Sequence, residues 1–98
     1  MGEDTTLFNS FGIEVGEGEV LFREGDSGDK MYIIQSGNIR ISKKIGGKEK
    51  ELAVIGKGDF FGEMAIVTQE KRTATVTAVS EAKLLAFDRT GFLSMINK

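Results

Sequence analysis

Apolar residues along the chain come in short runs, and polar or glycine-rich stretches separate one run from the next. The runs Val20–Phe22 and Met31–Ile34 lie on either side of the polar stretch Glu24–Asp29. Further along, Ile39 and Ile41 alternate with polar residues, as in a strand that buries one face. Short strands with frequent turns are typical of a β-sandwich or a β-barrel, so the pattern predicts a mostly β fold.

A glycine pair predicts a hairpin in the middle of the chain. Gly46 and Gly47 stand between the strand described above and the next apolar run, Leu52–Ile55. Adjacent glycines suit a tight hairpin turn, because such turns need positive φ angles. The charged residues Lys43–Lys44 and Lys48–Glu51 flank this turn. We interpret them as a solvated hairpin tip that discourages edge pairing, and not as a binding surface.

The second half of the chain predicts two more strands. Thr73–Val79 alternates threonine with small apolar residues, and its β-branched content favours a strand. In that strand Ala74, Val76 and Ala78 would share one face. Lys83–Phe87 is a further apolar run of strand length.

Two short helices are expected beside these strands. The apolar run within Gly58–Val67 shows no clean two-residue period, which favours a short helix there. A last helix is expected at the end of the chain, where Asp88 or Thr90 is a suitable N-cap. Phe92 and Ile96 stand at positions i and i+4, so we expect them to share its apolar face.

The composition excludes several classes of function. The chain has 98 residues, which suits one domain, and it contains no histidine and no cysteine. Zinc sites and serine triads are therefore poor candidates, and we predict neither a catalytic nor a metal site. The glycines and aspartates between residues 25 and 29 do not have the spacing of a calcium-binding loop, so we assign them to turns.

The charge balance and the apolar runs bear on partners and location. The chain carries 13 basic and 15 acidic residues, a net charge of -2, which does not favour direct binding to nucleic acid. No apolar run approaches the roughly 18 residues that span a bilayer, and the N-terminus does not have the pattern of a signal peptide. We therefore expect a cytoplasmic protein that does not insert into membranes.

The candidate chemistry lies in two segments, Phe61–Ala65 and Arg72–Ala74. A short helix that begins near Gly62 would present backbone N–H groups, which favour an anion. Arg72 carries a planar set of donors that matches a phosphate. Glu63 would repel a phosphate but can accept a hydrogen bond from a sugar hydroxyl, so the set fits a nucleotide.

A second interpretation of the same residues stays open. Glu63 and Arg72 would then form only an ion pair across a loop, and Gly62 would only permit a turn. Such surface ion pairs are common and contribute little to stability.

The motifs resemble, in order and spacing, those of cyclic nucleotide-binding domains. These domains occur in catabolite activator proteins, cyclic-nucleotide-dependent kinases and cyclic-nucleotide-gated channels. The resemblance rests on Gly18–Phe22, Glu24–Asp29, Met31–Ile34, Gly37, Gly58–Ala65 and Arg72–Val76. It implies an eight-stranded jelly-roll β-barrel with short flanking helices, and a phosphate-binding cassette over residues 61–76 that contains a short helix.

The resemblance also implies a role for each ligand-binding residue. Glu63, with the backbone of Gly62, would bind the ribose 2′-hydroxyl. Arg72 and the amides of Ala65 and Thr73 would hold the cyclic phosphate. The ligand would be cyclic AMP or cyclic GMP, and no further cofactor is implied.

The lining of the pocket and the choice of base follow less directly from the resemblance. Met64 and strand residues around Val54 are implied as pocket walls. The hydroxyl of Thr73 can accept a hydrogen bond from the guanine 2-amino group, which cyclic AMP lacks, but it can also serve the phosphate. We expect cyclic AMP, with cyclic GMP as the open alternative.

We expect the whole chain to be one domain that regulates another. A short helical lead would cover residues 1–11, the barrel 12–89, and the start of a C-terminal helix 90–98. Family members usually continue into a longer helix that covers the base, and because this lid helix is missing we expect an excised or minimal domain. Ligand binding would rearrange helices and signal to an output domain outside this chain. The sequence does not determine the oligomeric state of the chain itself.

Two other functions are kept as alternatives. A degenerate domain would keep the jelly roll as a structural or protein-interaction unit with an unoccupied pocket. A cupin-type enzyme on the same architecture would need histidine ligands, which the chain does not contain, so we expect no enzymatic activity.

Overall fold

The described part of the chain forms eight strands and, beside them, two short helical segments that matter for the site. The computed structural model describes residues 10–68 and 70–96. The strands are β1 (Gly12–Val15), β2 (Val20–Phe22), β3 (Met31–Ser36), β4 (Ile39–Ile45), β5 (Lys48–Ile55), β6 (Phe60–Phe61), β7 (Thr75–Ala78) and β8 (Ala82–Phe87). The cassette helix is Met64–Val67 and the C-terminal helix is Arg89–Ile96. Residues 1–9 of the helical lead predicted at 1–11 lie outside the described residues.

The strands make two four-stranded antiparallel sheets, with the orders β1-β8-β3-β6 and β2-β7-β4-β5. The prediction of a mostly β, eight-stranded jelly roll is confirmed, and the two sheets do not close into one continuous barrel. Closure needs a ladder between the edge strands of the two sheets, and β6 is a two-residue strand that pairs only with β3 among the described residues. The domain is therefore an open sandwich of two sheets.

Two groups of buried side chains hold the fold together. The larger group lies between the two sheets, where strand alternation turns one side of each strand inward. It consists of Val15, Tyr32, Ile34, Ile39, Phe61, Val76, Ala78, Ala82 and Leu84. The smaller group lies under the C-terminal helix and consists of Met31, Ile66, Leu85 and Phe87. Ile66 belongs to the cassette helix, so the second group fixes that helix to the first sheet.

The structure confirms the predicted turn between β4 and β5. Gly46 and Gly47 have φ angles of 62° and 82°, the left-handed values that the hairpin prediction required. Val76 and Ala78 are both buried on the inner face of β7, as the alternation of that segment predicted.

The C-terminal helix confirms one prediction and corrects another. The carboxylate of Asp88 accepts a hydrogen bond from the amide of Gly91 at 2.7 Å, which is the expected N-cap contact. Phe92 packs on the core as predicted, but Ile96 is 54% exposed and Met95 packs there in its place. An i to i+3 pair lies on one face of a helix as readily as an i to i+4 pair, so the sequence pattern allowed both. None of the described helices is long and apolar enough to cross a membrane.

Candidate functional site

The cassette is a loop that connects β6 of the first sheet to β7 of the second. It starts at β6, reverses direction at Gly62, makes one turn of helix at Met64–Val67 and reaches Arg72 just before β7. Gly62 has a φ of 79°, a conformation that side chains with a Cβ rarely adopt. This glycine lets the chain turn from strand to helix within two residues.

All six predicted site residues line one cavity of about 320 Å³. The cavity lies between the cassette and the inner face of the second sheet. Its lining contains Gly62, Glu63, Met64, Ala65, Arg72 and Thr73, together with Phe22, Ile41, Phe60, Phe61, Glu70, Lys71, Ala74 and Val76. The cavity therefore has an apolar floor and a rim that carries charge.

The guanidinium of Arg72 is held by backbone carbonyls and an aromatic ring. Nη2 donates to the carbonyl of Lys30 at 2.9 Å, and Nη1 donates to the carbonyl of Gly62 at 3.4 Å. Its Cζ lies 3.9 Å from the centre of the Phe22 ring, a cation–π arrangement. The side chain is thus fixed on one face of the cavity.

Arg72 is a buried cation without a carboxylate partner. It is only 8% exposed, and none of the ion pairs in the described part of the chain includes it. Its Nε is buried and makes no hydrogen bond. The alternative in which Arg72 and Glu63 only form an ion pair is therefore wrong. Burial of an unpaired charge is costly, so an anion next to this residue would be stabilising.

The other predicted residues differ in exposure and in whether their polar groups already have hydrogen-bond partners. The carboxylate of Glu63 is exposed and has no hydrogen bond or ion pair among the described residues. The amide of Ala65 already donates to the carbonyl of Gly62 at 3.1 Å. Met64 is 50% exposed at the rim, and Thr73 is also exposed. The Gly62 carbonyl thus accepts from two of the three groups that were predicted to hold the phosphate, Arg72 and the amide of Ala65.

The apolar wall lies elsewhere than the sequence predicted. Val54, the strand residue named for this wall, is 49% exposed and does not line the cavity. Ile41 and Phe22 line it in its place, from β4 and β2. β5 is an edge strand of the second sheet, so it lies further from the cassette than β4 and β7 do.

Sequence reasoning missed one contact between the hairpin and the cassette. Nζ of Lys43 donates to the carbonyl of Thr73 at 2.8 Å and lies 3.4 Å from a carboxylate oxygen of Glu24. The amide of Lys44 donates to the same carboxylate, and together with the Lys43 ammonium it lowers the pKa of the Glu24 carboxyl. These lysines were assigned to a solvated tip, and nothing in the charge run distinguished Lys43 from its neighbours.

The family model for the cyclic nucleotide-binding domain matches residues 13–98 of the chain. This chain belongs to the cyclic nucleotide-binding domain family. The cyclic AMP receptor protein of Thermus thermophilus is 36% identical over 83 residues, which are 84% of this chain and 38% of that protein. The cGMP-dependent protein kinase, isozyme 1, of Drosophila melanogaster is 36% identical over 83 residues, which are 81% of this chain and 11% of that protein.

Solved structures show the same fold. The crystal structure of the Thermus thermophilus catabolite activator protein superimposes with a TM-score of 0.83 at 33% identity, covering 95% of this chain and 45% of that one. The regulatory domain of Toxoplasma gondii PKA, co-crystallised with cAMP, gives a TM-score of 0.79 at 37% identity, covering 95% of this chain and 38% of that one. The chain spans less than half the length of these relatives.

Metal chemistry finds no support in the described part of the chain. No group of three or more carboxylate, histidine or cysteine side chains there is arranged to hold a metal ion. Of the aspartates near residues 25–29, Asp26 accepts a hydrogen bond from the amide of Arg23 at 2.9 Å, and the carboxylate of Asp29 lies 3.7 Å from the ammonium of Lys30.

Proposed function

We propose that this chain binds a cyclic nucleotide in the cassette cavity, with cyclic AMP favoured over cyclic GMP, and that it acts as a sensory module. Arg72 carries the proposal, because it is a buried, uncompensated cation on the wall of a cavity of ligand size. A phosphate would supply the negative charge and accept hydrogen bonds from the planar guanidinium.

The phosphate would replace a contact that the protein now makes to itself. The carbonyl of Gly62 accepts from Nη1 of Arg72 and from the amide of Ala65. A phosphate oxygen placed between these two donors would take over both hydrogen bonds. Its full charge makes it a stronger acceptor than a carbonyl, so the exchange is favourable.

Glu63 supports a cyclic nucleotide over a simple phosphate. Its exposed carboxylate on the cavity rim would repel an anion next to it, but it accepts a hydrogen bond from a neutral hydroxyl. A cyclic nucleotide presents a ribose 2′-hydroxyl on the same side as its single phosphate. The apolar side chains of Met64 and Ile41 then face the base.

The proposal also includes a preference between the two nucleotides and a route by which binding is signalled to an output domain. The relatives named above include a cyclic AMP receptor and a cGMP-dependent kinase, so the family supports both ligands. Our preference for cyclic AMP rests on Thr73, whose hydroxyl serves the phosphate in this assignment. Ligand binding in the cassette would shift the helices at the end of the domain and so reach an output domain, in a cytoplasmic protein without chemistry of its own.

Isothermal titration calorimetry of the chain with cyclic AMP, cyclic GMP and adenosine tests the proposal. We expect saturable heat with cyclic AMP, weaker binding of cyclic GMP, and little or none with adenosine, which has the ribose and base but no phosphate. No heat from either cyclic nucleotide at millimolar concentration would overturn the proposal and favour a degenerate domain. If adenosine bound as tightly as cyclic AMP, the assignment of Arg72 to the phosphate would be wrong.

A further inference from the structure

Gly28 lies in the turn between β2 and β3, directly against the side chain of Arg72. A Cβ built on Gly28 would lie 2.5 Å from Nη2, 2.6 Å from Nε and 2.8 Å from Cζ of Arg72. These three atoms are the nearest neighbours of that position. Any side chain at residue 28 would therefore occupy the space that the guanidinium fills now.

The backbone of Gly28 does not itself require glycine. Its φ lies outside the left-handed region, whereas Gly25 in the same turn has a φ of 90°. Conformational freedom explains Gly25, but it does not explain Gly28. The space next to Arg72 is the feature of the structure that glycine alone satisfies at residue 28.

The same turn also holds the backbone of Arg72. The amide of Arg72 donates to the carbonyl of Asp26 at 2.8 Å, and the amide of Gly25 donates to the carbonyl of Arg72 at 2.8 Å. Lys30, two residues after Gly28, supplies the carbonyl that accepts from Nη2. The β2–β3 turn thus fixes the main chain of Arg72 and surrounds its side chain.

We propose that Gly28 is a positioning residue of the ligand site, whose missing side chain lets the Arg72 guanidinium lie over Phe22 and face the cavity. Its effect on ligand binding rests on the proposed function, whereas the effect on the position of Arg72 does not. Because the guanidinium is the far end of a long side chain with several rotatable bonds, a methyl group at residue 28 should displace it while the strands keep their places.

The direct test compares Gly28→Ala with a matched glycine variant. Gly16→Ala is the control, because Gly16 has no atom within 4 Å of its added Cβ and its φ lies outside the left-handed region. We expect Gly28→Ala to weaken cyclic AMP binding about tenfold or more, the loss typical of a missing charged hydrogen bond. Gly16→Ala should bind like the parent. In an Arg72→Ala background, Gly28→Ala should cause no further loss.

A measurement without ligand separates the two proposals. Cζ of Arg72 lies 3.9 Å from the centre of the Phe22 ring, so the NMR signal of the adjoining Nε–H, identified by its absence in Arg72→Ala, should be shifted by the ring current. That shift should disappear in Gly28→Ala and persist in Gly16→Ala. If the parent binds no cyclic nucleotide, the proposed function fails and the Arg72 signal still decides the role of Gly28.

Three outcomes would overturn the positioning role while the proposed function stands. The first is parent-like affinity in Gly28→Ala, and the second is an unchanged Arg72 signal in that variant. The third is collapse of its amide spectrum, which would show that Gly28 serves the fold as a whole.

Discussion

The β4–β5 hairpin and the cassette each carry an arginine that is not fully exposed, and the two are compensated in different ways. Nε of Arg40 on β4 lies 3.3 Å from a carboxylate oxygen of Glu51 on β5. Arg72 contacts two carbonyls and the Phe22 ring but no carboxylate. Neither Nε makes a hydrogen bond of good geometry, so the partner charge is what distinguishes the two sites.

The buried serine of the hairpin, like its arginine, has a carboxylate partner on the neighbouring strand. Ser42 is 2% exposed, and its hydroxyl donates to the carboxylate of Glu49 on the neighbouring strand. The hairpin therefore provides a carboxylate for its arginine and for its serine, whereas the arginine of the cassette has no carboxylate partner among the described residues. This uncompensated charge beside a cavity is the difference that supports the proposed binding site.

The largest expected effect is a difference in cyclic AMP affinity between variants of the two arginines. Arg72→Ala removes the charge that would face the phosphate, and we expect cyclic AMP affinity to fall about tenfold to a hundredfold. Arg40→Ala removes an arginine whose partner is Glu51, and affinity should stay within about twofold of the parent. Calorimetry on both variants measures the difference. Equal losses would show that the two regions are not functionally distinct.

A smaller effect should appear in stability at the hairpin. Ser42→Ala removes a hydrogen bond from a buried position, but Glu49 is exposed and can turn to water. We expect a loss of about 1 kcal/mol in the free energy of unfolding. Urea denaturation measures this loss, and cyclic AMP affinity serves as the control. A fall in affinity would mean that the hairpin interior contributes to the site.

The smallest effect should come from the side-chain hydrogen bond that joins Lys43 of the hairpin to the cassette. Lys43→Met removes the hydrogen bond to the Thr73 carbonyl and the ion pair with Glu24. Exposed pairs of this kind contribute a few tenths of a kcal/mol to about 1 kcal/mol, so cyclic AMP affinity should fall about two- to fivefold. Lys48→Met, at the exposed tip, is the matched control in the same titration. No difference between them would make Lys43 a solvated residue, as first predicted.

Much of the fold could be predicted because it depends on local patterns. The glycine pair at 46 and 47 and the alternation in Thr73–Val79 act over a few residues, and both predictions are confirmed. Whether the two sheets close into one barrel depends on which edge strands meet, and no local pattern encodes that. Ile96 was placed on the buried face because the helical period allows Met95 there equally well.

The features of the candidate site likewise divide into those that follow from local sequence and those that depend on long-range contacts. The residue types of the cassette, the turn at Gly62 and a single arginine for an anion could be predicted, since these follow from spacing and side-chain chemistry. The burial of Arg72 away from every described carboxylate, and the space that Gly28 leaves for its guanidinium, depend on contacts between distant parts of the chain. The hydrogen bond from Arg72 to Lys30 spans 42 residues of chain, and a contact over such a separation exists only after the two sheets have come together.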